Sequence, residues 1–199
     1  MTVVAGPIAS GKTTVFFRRT AQLTRVDSFN VDDRAAALND GSYQALPPTL
    51  VQQAIGECEE FIRQHIRARA SFLVETTLRT LTAANQATQA RRAGFTTELI
   101  YVGTNDPEIN VQRAEARQSG GGRDVAPDTV RAVYAASLRN LVQALAAFDV
   151  VSLYDNSGGP HSSSLQLEIE HGQVRVVADP PQDWVQRVAR AAGLEAVDS

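Results

Sequence analysis

The sequence predicts an α/β fold, with a central parallel sheet of about five strands flanked by helices and a small hairpin and helix at the C-terminal end. Three observations carry that expectation. Short apolar, β-branched runs alternate with segments of helical periodicity as far as residue 154, the order that builds βαβ units. The first run, Thr2–Ala5, leads at once into a glycine-rich turn and then a helix-forming stretch. After Asn156-Ser157-Gly158-Gly159-Pro160 the pattern changes to period-two alternation on either side of His171-Gly172.

Each element follows from its own residues. Thr2–Ala5 is short and apolar, as a buried strand is. Lys12–Leu23 has helical character, and Arg25–Asn30 is a weaker strand candidate. Asp40-Gly41-Ser42 and Pro47-Pro48 mark a loop. From Thr49 to about Ala70, residues such as Leu50, Ala54, Cys58, Phe61, Ile62 and His65 fall at helical spacing. Ser71–Glu75 reads as a short buried strand. Thr80 is placed to N-cap a helix running to Ala93, with Gly94 as its C′ residue. Thr97–Val102 is the next strand, and Pro107 opens an arginine-rich helix that ends at Ser119-Gly120-Gly121-Gly122. The region 107–127 has the makeup of a lid. Asp128–Ala147 presents Val130, Val133, Tyr134, Leu138 and Leu141 on one helical face, and Val150–Tyr154 is a last buried strand. Leu165–Ile169 and Val174–Val177 form the expected hairpin, followed by a helix around Trp184, an appendage over residues 160–193.

Composition narrows the function classes. A chain of 199 residues suits one domain, 1–199, with a sizeable core. Hydrophobic residues at 43% and charged residues at 21% are ordinary for a globular chain. The net charge is −3 and the arginines are interspersed with acids, which argues against a nucleic-acid partner. A single cysteine, Cys58, allows no intramolecular disulfide and fits a reducing compartment. No apolar run is long enough to span a bilayer, and the N-terminus lacks the basic-then-apolar order of a leader. The expectation is a cytoplasmic protein without a membrane partner.

Residues 6–13 read Gly-Pro-Ile-Ala-Ser-Gly-Lys-Thr, which is G-x-x-x-x-G-K-[ST] between a predicted strand and a predicted helix. Glycines let the backbone curl so that successive N–H groups face an anion, and the helix N-terminus adds a positive dipole there. The phosphate-side candidates are Gly6, Ala9, Ser10, Gly11, Lys12, Thr13 and Thr14. Lys12 is suited to the terminal phosphates, and the Thr13 hydroxyl to Mg²⁺. The expected ligands are ATP and Mg²⁺ on a kinase-type P-loop NTPase fold.

A GTPase would need base-reading and switch motifs that the chain does not space correctly. A transport ATPase would need a strand ending in Asp-Glu after its signature, and Asp124-Val125-Ala126-Pro127 is not one. A small-molecule kinase needs a base, acceptor-binding groups, cations for the phosphoryl group and a lid. Asp32, at the carboxyl end of the second strand, suits the base, although Asp there also N-caps helices. Glu75 ends a buried strand and requires a partner. Arg113, Arg117 and Arg123 flank the glycine run and suit phosphate, since guanidinium is planar and always charged.

Asn30-Val31-Asp32-Asp33, Val74-Glu75-Thr76-Thr77-Leu78-Arg79-Thr80, the arginine-rich helix leading to Gly-Gly-Arg-Asp-Val, and Tyr154-Asp155-Asn156-Ser157 follow in order. Together they resemble the zeta toxin family of P-loop kinases, over nearly the whole chain to about residue 160. The resemblance implies strand order 2-3-1-4-5 and phosphorylation of a small-molecule acceptor, with the amino sugar of UDP-N-acetylglucosamine as the target class. It implies Asp32 as the catalytic base, Glu75 and Thr77 as acceptor-binding residues with Arg79 nearby, and Arg113 and Arg123 as the phosphate clamp, although many members carry His where Arg123 stands. A small helical antitoxin is the protein partner it implies. Two other readings remain at this point: a phosphotransferase for another hydroxyl compound such as an antibiotic or nucleoside, and a nucleotide-hydrolysing regulatory protein with no acceptor.

Overall fold

The apolar start of the chain forms the middle of the sheet. β1 (Thr2–Ala5) buries Val3, Val4 and Ala5 completely, which requires cover on both faces of the strand. The structure, a computed structural model, describes residues 1–15, 26–120, 122–158 and 162–194. β1 lies parallel between β3 (Phe72–Thr76) and β4 (Glu98–Gly103). β2 (Asp27–Asn30) pairs with β3, and β5 (Val150–Asp155) pairs with β4. The antiparallel strands β6 (Ser164–Glu170) and β7 (Gln173–Val177) continue beyond β5. The result is a seven-stranded sheet in the order β2-β3-β1-β4-β5-β6-β7. The expected parallel order is therefore present, and the hairpin extends the sheet.

The helices take their places from their apolar faces. α1 is described only over residues 12–15; the rest of the predicted Lys12–Leu23 helix, and Arg25 of the predicted second strand, lie outside the described residues. α2 (Val31–Leu38) has no counterpart among the predicted elements. Its apolar periodicity is weak, and it is set up instead by Asn30, whose side chain accepts from the N–H groups of Asp32 and Asp33. α3 (Pro48–Ala68) starts one residue earlier than expected. Pro48 belongs to the helix because at its first position the missing N–H has no helical partner to lose. α4 (Thr82–Arg92) packs a stripe of Ala83, Ala84, Ala87 and Ala90 against the core. Its N-cap is Leu81 and no side chain caps it, in place of the expected Thr80, whose hydroxyl pairs with that of Thr82 at 3.1 Å.

α5 (Pro107–Ser119) and α6 (Pro127–Ala144) pack against each other beside the expected lid region. α7 (Asp183–Ala191) buries Trp184, Val185, Val188 and Ala189 in the main core. The Trp184 indole N–H donates to Asp155 at 2.9 Å, while its ring lies on β4 beside Tyr101. A Cβ on Gly103 would stand 2.7 Å from that ring, and Trp184 has no exposed surface through which to retreat. Gly103→Ala is therefore expected to destabilise the fold by about 1–3 kcal/mol, the usual cost of overpacking. Guanidinium unfolding checks this, and a midpoint equal to wild type would contradict it.

Candidate active site

The turn after β1 is built from backbone that few residues tolerate. Gly6 has φ 146° and a Cβ there would meet the Val102 carbonyl oxygen at 2.1 Å, while Ala9 and Gly11 have φ 57° and 94°. Alternating hands of this kind curl the chain into an anion-binding nest. Ile8 and Ala9 pack against Val111, Ala114 and Val130, so α5 and α6 back the turn from behind. Thr14 and Val15 donate to the Gly11 carbonyl and open α1.

Lys12 is almost buried, with 7% of its surface exposed. Its ammonium donates to the Pro7 carbonyl at 2.8 Å and stands 3.9 Å from Glu75 Oε1. Burial lowers the Lys12 pKa, opposed by the charges of Glu75 and Asp32, and Arg117 lowers it further. Burial likewise raises the Glu75 carboxyl; Lys12 opposes this, and Asp33 and Asp32 add to it. The cation beside Glu75 is thus Lys12. Arg79, expected near Glu75, is exposed and lines a separate groove with Asp128, Thr129 and Ala132. Thr77 is half-buried just after β3, followed by Leu78 in left-handed backbone at φ 53°.

Asp32 sits in the first turn of α2, and its carboxylate takes an ion pair from Arg123 at 2.5 Å across 91 residues. Arg123, expected in the phosphate clamp, and the residue expected to act as base are therefore in contact. The alternative that Asp32 is the N-cap does not hold, since Asn30 fills that position. Asp33 accepts from the Tyr43 hydroxyl at 2.8 Å. Arg113 donates through Nη2 to the Gly158 carbonyl at 2.7 Å, and its Nη1 is buried with no partner. Ser10 Oγ is likewise buried and unpartnered. Two orphaned polar groups among the phosphate-side candidates fit a phosphate ligand, since such groups are rarely left unsatisfied. Arg117 is exposed.

A cavity of about 790 Å³ opens beside these groups, lined by Thr13 and Glu75 on one side and by Phe29, Asn30, Asp33, Arg34, Glu57, Glu60 and Phe61 on the other. Thr13 is exposed there. Among the described residues no group of three or more His, Cys, Asp and Glu side chains could hold a metal. A Mg²⁺ at this site would accordingly depend on the Thr13 hydroxyl and ligand phosphate oxygens, which is how Mg²⁺ is commonly held.

Several lining residues escape sequence reasoning. Phe29 and Phe61 look like core positions, and the Arg34–Glu57 ion pair between α2 and α3 is visible only once the two helices meet. Asn110 was missed as well, although a buried amide on an apolar helix face was the available signal. Cys58 and His65, both on the apolar side of α3, pack as structural residues. Burial pushes the Cys58 thiol up to about 11, and His65 bridges the Phe61 carbonyl and Asp27 while packing on Phe61 and Phe72. Among the described residues, no helix is long and apolar enough to cross a membrane.

Comparison with known proteins agrees with this fold. The family whose profile matches is described as Zeta toxin, over residues 1–161. An uncharacterized protein of Haemophilus influenzae is 32% identical over 130 residues, 65% of this chain and 88% of that protein. The fold is similar to a structure of the PezAT chromosomal toxin-antitoxin system of Streptococcus pneumoniae, with TM-score 0.63 and 14% identity over 97% of this chain and 86% of that one. It is also similar to AvrRxo1-ORF1:AvrRxo1-ORF2 with ATP, with TM-score 0.65 and 14% identity over 96% of this chain and 62% of that one. The architecture is that of the P-loop kinase-like zeta toxins.

The Lys12–Glu75 pair gives a direct electrostatic test. Glu75 is expected to titrate above the ordinary glutamate value in the ligand-free protein, and higher still in Lys12→Ala, where burial acts without the opposing ammonium. The raised carboxyl makes the folded state the better proton binder. The Glu75 contribution to stability is therefore greatest below the unfolded glutamate pKa and declines as pH rises through the folded one. Carboxyl ¹³C NMR titration measures both midpoints; a downward move in Lys12→Ala would contradict the pairing.

Proposed function

The chain belongs to the zeta toxin family, and from that premise we propose that it is an ATP-dependent kinase transferring the γ-phosphoryl group to a hydroxyl of a small acceptor. Family and fold support a P-loop kinase-like phosphotransferase that uses ATP. The single observation that carries the reading is that Thr13, at the phosphate loop, and Glu75, beside Lys12, line one cavity large enough for a second molecule.

In this reading the nest of Gly6, Ala9, Ser10 and Gly11, with Thr14, binds the phosphates through the curled backbone. Lys12 exchanges its contacts with Pro7 and Glu75 for phosphate oxygens. Arg113 and Arg123 spread the charge of the transferring group, and Arg117 adds positive potential at the lid. Mg²⁺ on Thr13 would supply further neutralisation of that charge. Asp32 accepts the acceptor's hydroxyl proton as the new oxygen–phosphorus bond forms and the bond from the γ-phosphorus to the bridging oxygen breaks, releasing ADP. Glu75 and Thr77 hold the acceptor; the outward placement of Arg79 gives it at most a remote part.

A nucleotide sugar such as UDP-N-acetylglucosamine is the acceptor to test first. Phe29 and Phe61, with ring centroids 5.4 Å apart and planes tilted by 49°, give the cavity an apolar aromatic side, and the surrounding carboxylates suit sugar hydroxyls. Family membership also supports a partner of the antitoxin type.

The experiment is incubation with ATP, Mg²⁺ and a panel of nucleotide sugars and other hydroxyl compounds, with mass spectrometry for a species that gains one phosphate. Asp32→Asn is expected to slow transfer by about 10²–10⁴-fold, the usual contribution of a general base. Lys12→Ala should abolish it. ADP and phosphate formed without a phosphorylated product would point to the regulatory alternative, and undiminished transfer by Asp32→Asn would remove the base assignment.

A further inference from the structure

Phosphate-binding loops work only if their peptide planes are held with N–H groups toward the ligand, and in this chain two buried asparagines contact the loop from behind. Asn110, on α5 and fully buried, donates through Nδ2 to the Ile8 carbonyl at 2.6 Å. Its own Oδ1 accepts from the Thr104 hydroxyl, and the Tyr134 hydroxyl donates to the Thr104 carbonyl at 2.6 Å. Because the Ile8 carbonyl can only accept, it fixes which way the Asn110 amide faces. Asn156, just past β5 and 8% exposed, donates through Nδ2 to the Ser10 carbonyl at 2.8 Å. Its backbone N–H donates to the Gly103 carbonyl at 2.9 Å, so the side chain projects from the sheet's own ladder. A Cβ on Gly11 would stand 2.1 Å from Asn156 Nδ2, so glycine is what lets this asparagine close on the loop.

In a trans peptide the C=O and the following N–H lie in one plane and point in opposite directions. Anchoring the Ile8 carbonyl to Asn110 therefore turns the Ala9 N–H away from α5. Anchoring the Ser10 carbonyl to Asn156 does the same for the Gly11 N–H. Ala9 and Gly11 are the two residues of this stretch with left-handed backbone. We propose that Asn110 and Asn156 are the positioning residues of the phosphate loop, holding its peptide planes so that the Ala9 and Gly11 N–H groups meet the nucleotide's phosphates. Neither side chain touches the ligand. Each acts through the loop carbonyl it holds, so nucleotide affinity depends on them and acceptor affinity does not. This rests on the kinase reading given above.

The test is calorimetric titration of MgATP into full-length wild type, Asn110→Ala, Asn156→Ala and the matching Asn→Asp variants, with the acceptor KM measured at saturating ATP. Each alanine variant is expected to weaken MgATP binding about tenfold, the scale of one buried hydrogen bond. Each Asp variant should weaken it at least as much, because an isosteric carboxylate presents an acceptor to a carbonyl. The acceptor KM should stay unchanged. A purely structural role would instead lower Tm and leave the MgATP Kd within twofold in the folded variants, and that result overturns the proposal. If the substitutions prevent folding, wild-type NMR decides. The side-chain amide protons of Asn110 and Asn156 should be protected from exchange and shift on MgATP addition; exchange as fast as that of exposed asparagines, or no shift, overturns it. A wild type that binds no purine triphosphate overturns the kinase reading and this inference together, whereas binding that is intact in wild type and in both alanine variants overturns the inference alone.

Discussion

A buried ammonium is the constraint around which this molecule is arranged. Removing a lysine head group from water costs several kcal/mol unless hydrogen bonds and an opposite charge offset it, and Lys12 has the Pro7 carbonyl and Glu75 to do so. Glu75 in turn is half-buried near the end of a strand, where desolvation raises its carboxyl and the Lys12 ammonium opposes the rise. The same reciprocity recurs across the site, where Arg123 holds Asp32 and Arg113 holds the Gly158 carbonyl. Cations suited to phosphate thus have protein acceptors close by. On the proposed function, a nucleotide entering the loop would exchange partners with Lys12, an ammonium that is already desolvated, so the cost of burying that charge is met during folding. In the proposed function the contact between Arg123 and Asp32 would couple the two sides, since an arginine drawn to phosphate would free the carboxylate proposed as the base.

The sheet explains how residues so distant in sequence converge. β1 lies between β3 and β4, so the chain leaves β1 where the crossovers diverge to either side, which is where open α/β sheets bind ligands. The register brings Ala5 level with Thr76 and with Tyr101, and Asn30 level with Glu75. The phosphate loop, the start of α2 and the end of β3 thus emerge along one edge. β4 and β5 contribute Gly103 and Asn156 to the same edge. Sequence separation matters little here because parallel pairing aligns every carboxyl end on the same side.

Much of this was legible before any coordinates. The parallel strands could be read because buried strands in such sheets are short unbroken apolar runs, and β1, β3, β4 and β5 are of that kind. The phosphate loop could be read because its backbone demands glycine at fixed spacing. The resemblance to zeta toxins brought out Asp32, Glu75 and the lid arginines, and the structure places Asp32 against Arg123 and Glu75 against Lys12. What could not be read depends on tertiary meetings. α2 carries almost no apolar stripe, so its existence rests on the Asn30 cap and on packing against α3. The resemblance implies Arg79 near Glu75, yet Arg79, following Leu78 in left-handed backbone, is exposed and lines a separate groove. The cavity walls at Phe29, Arg34, Glu57 and Phe61 come from elements whose contact no local pattern encodes.

The stretch beyond residue 161 lies outside the family match, and its packing shows why it is more than an attachment. β5 would otherwise end the sheet with an open ladder, an invitation to pair with another chain. β6 covers that edge from Ser164 to Glu170. Gln166, nearly buried, uses its Oε1 to accept from the Gln182 backbone N–H, which ties the start of α7 back to β6. α7 then delivers Trp184 to Asp155, the residue before Asn156, while Ser157 donates to the same carboxylate through its N–H and its hydroxyl. The turn leaving β5 is thus fixed by a tryptophan from the end of the chain, and from that turn Asn156 reaches the phosphate loop. Residues at opposite ends of the sequence are joined by a short series of buried hydrogen bonds, so the geometry of the first loop depends on the last helix being in place.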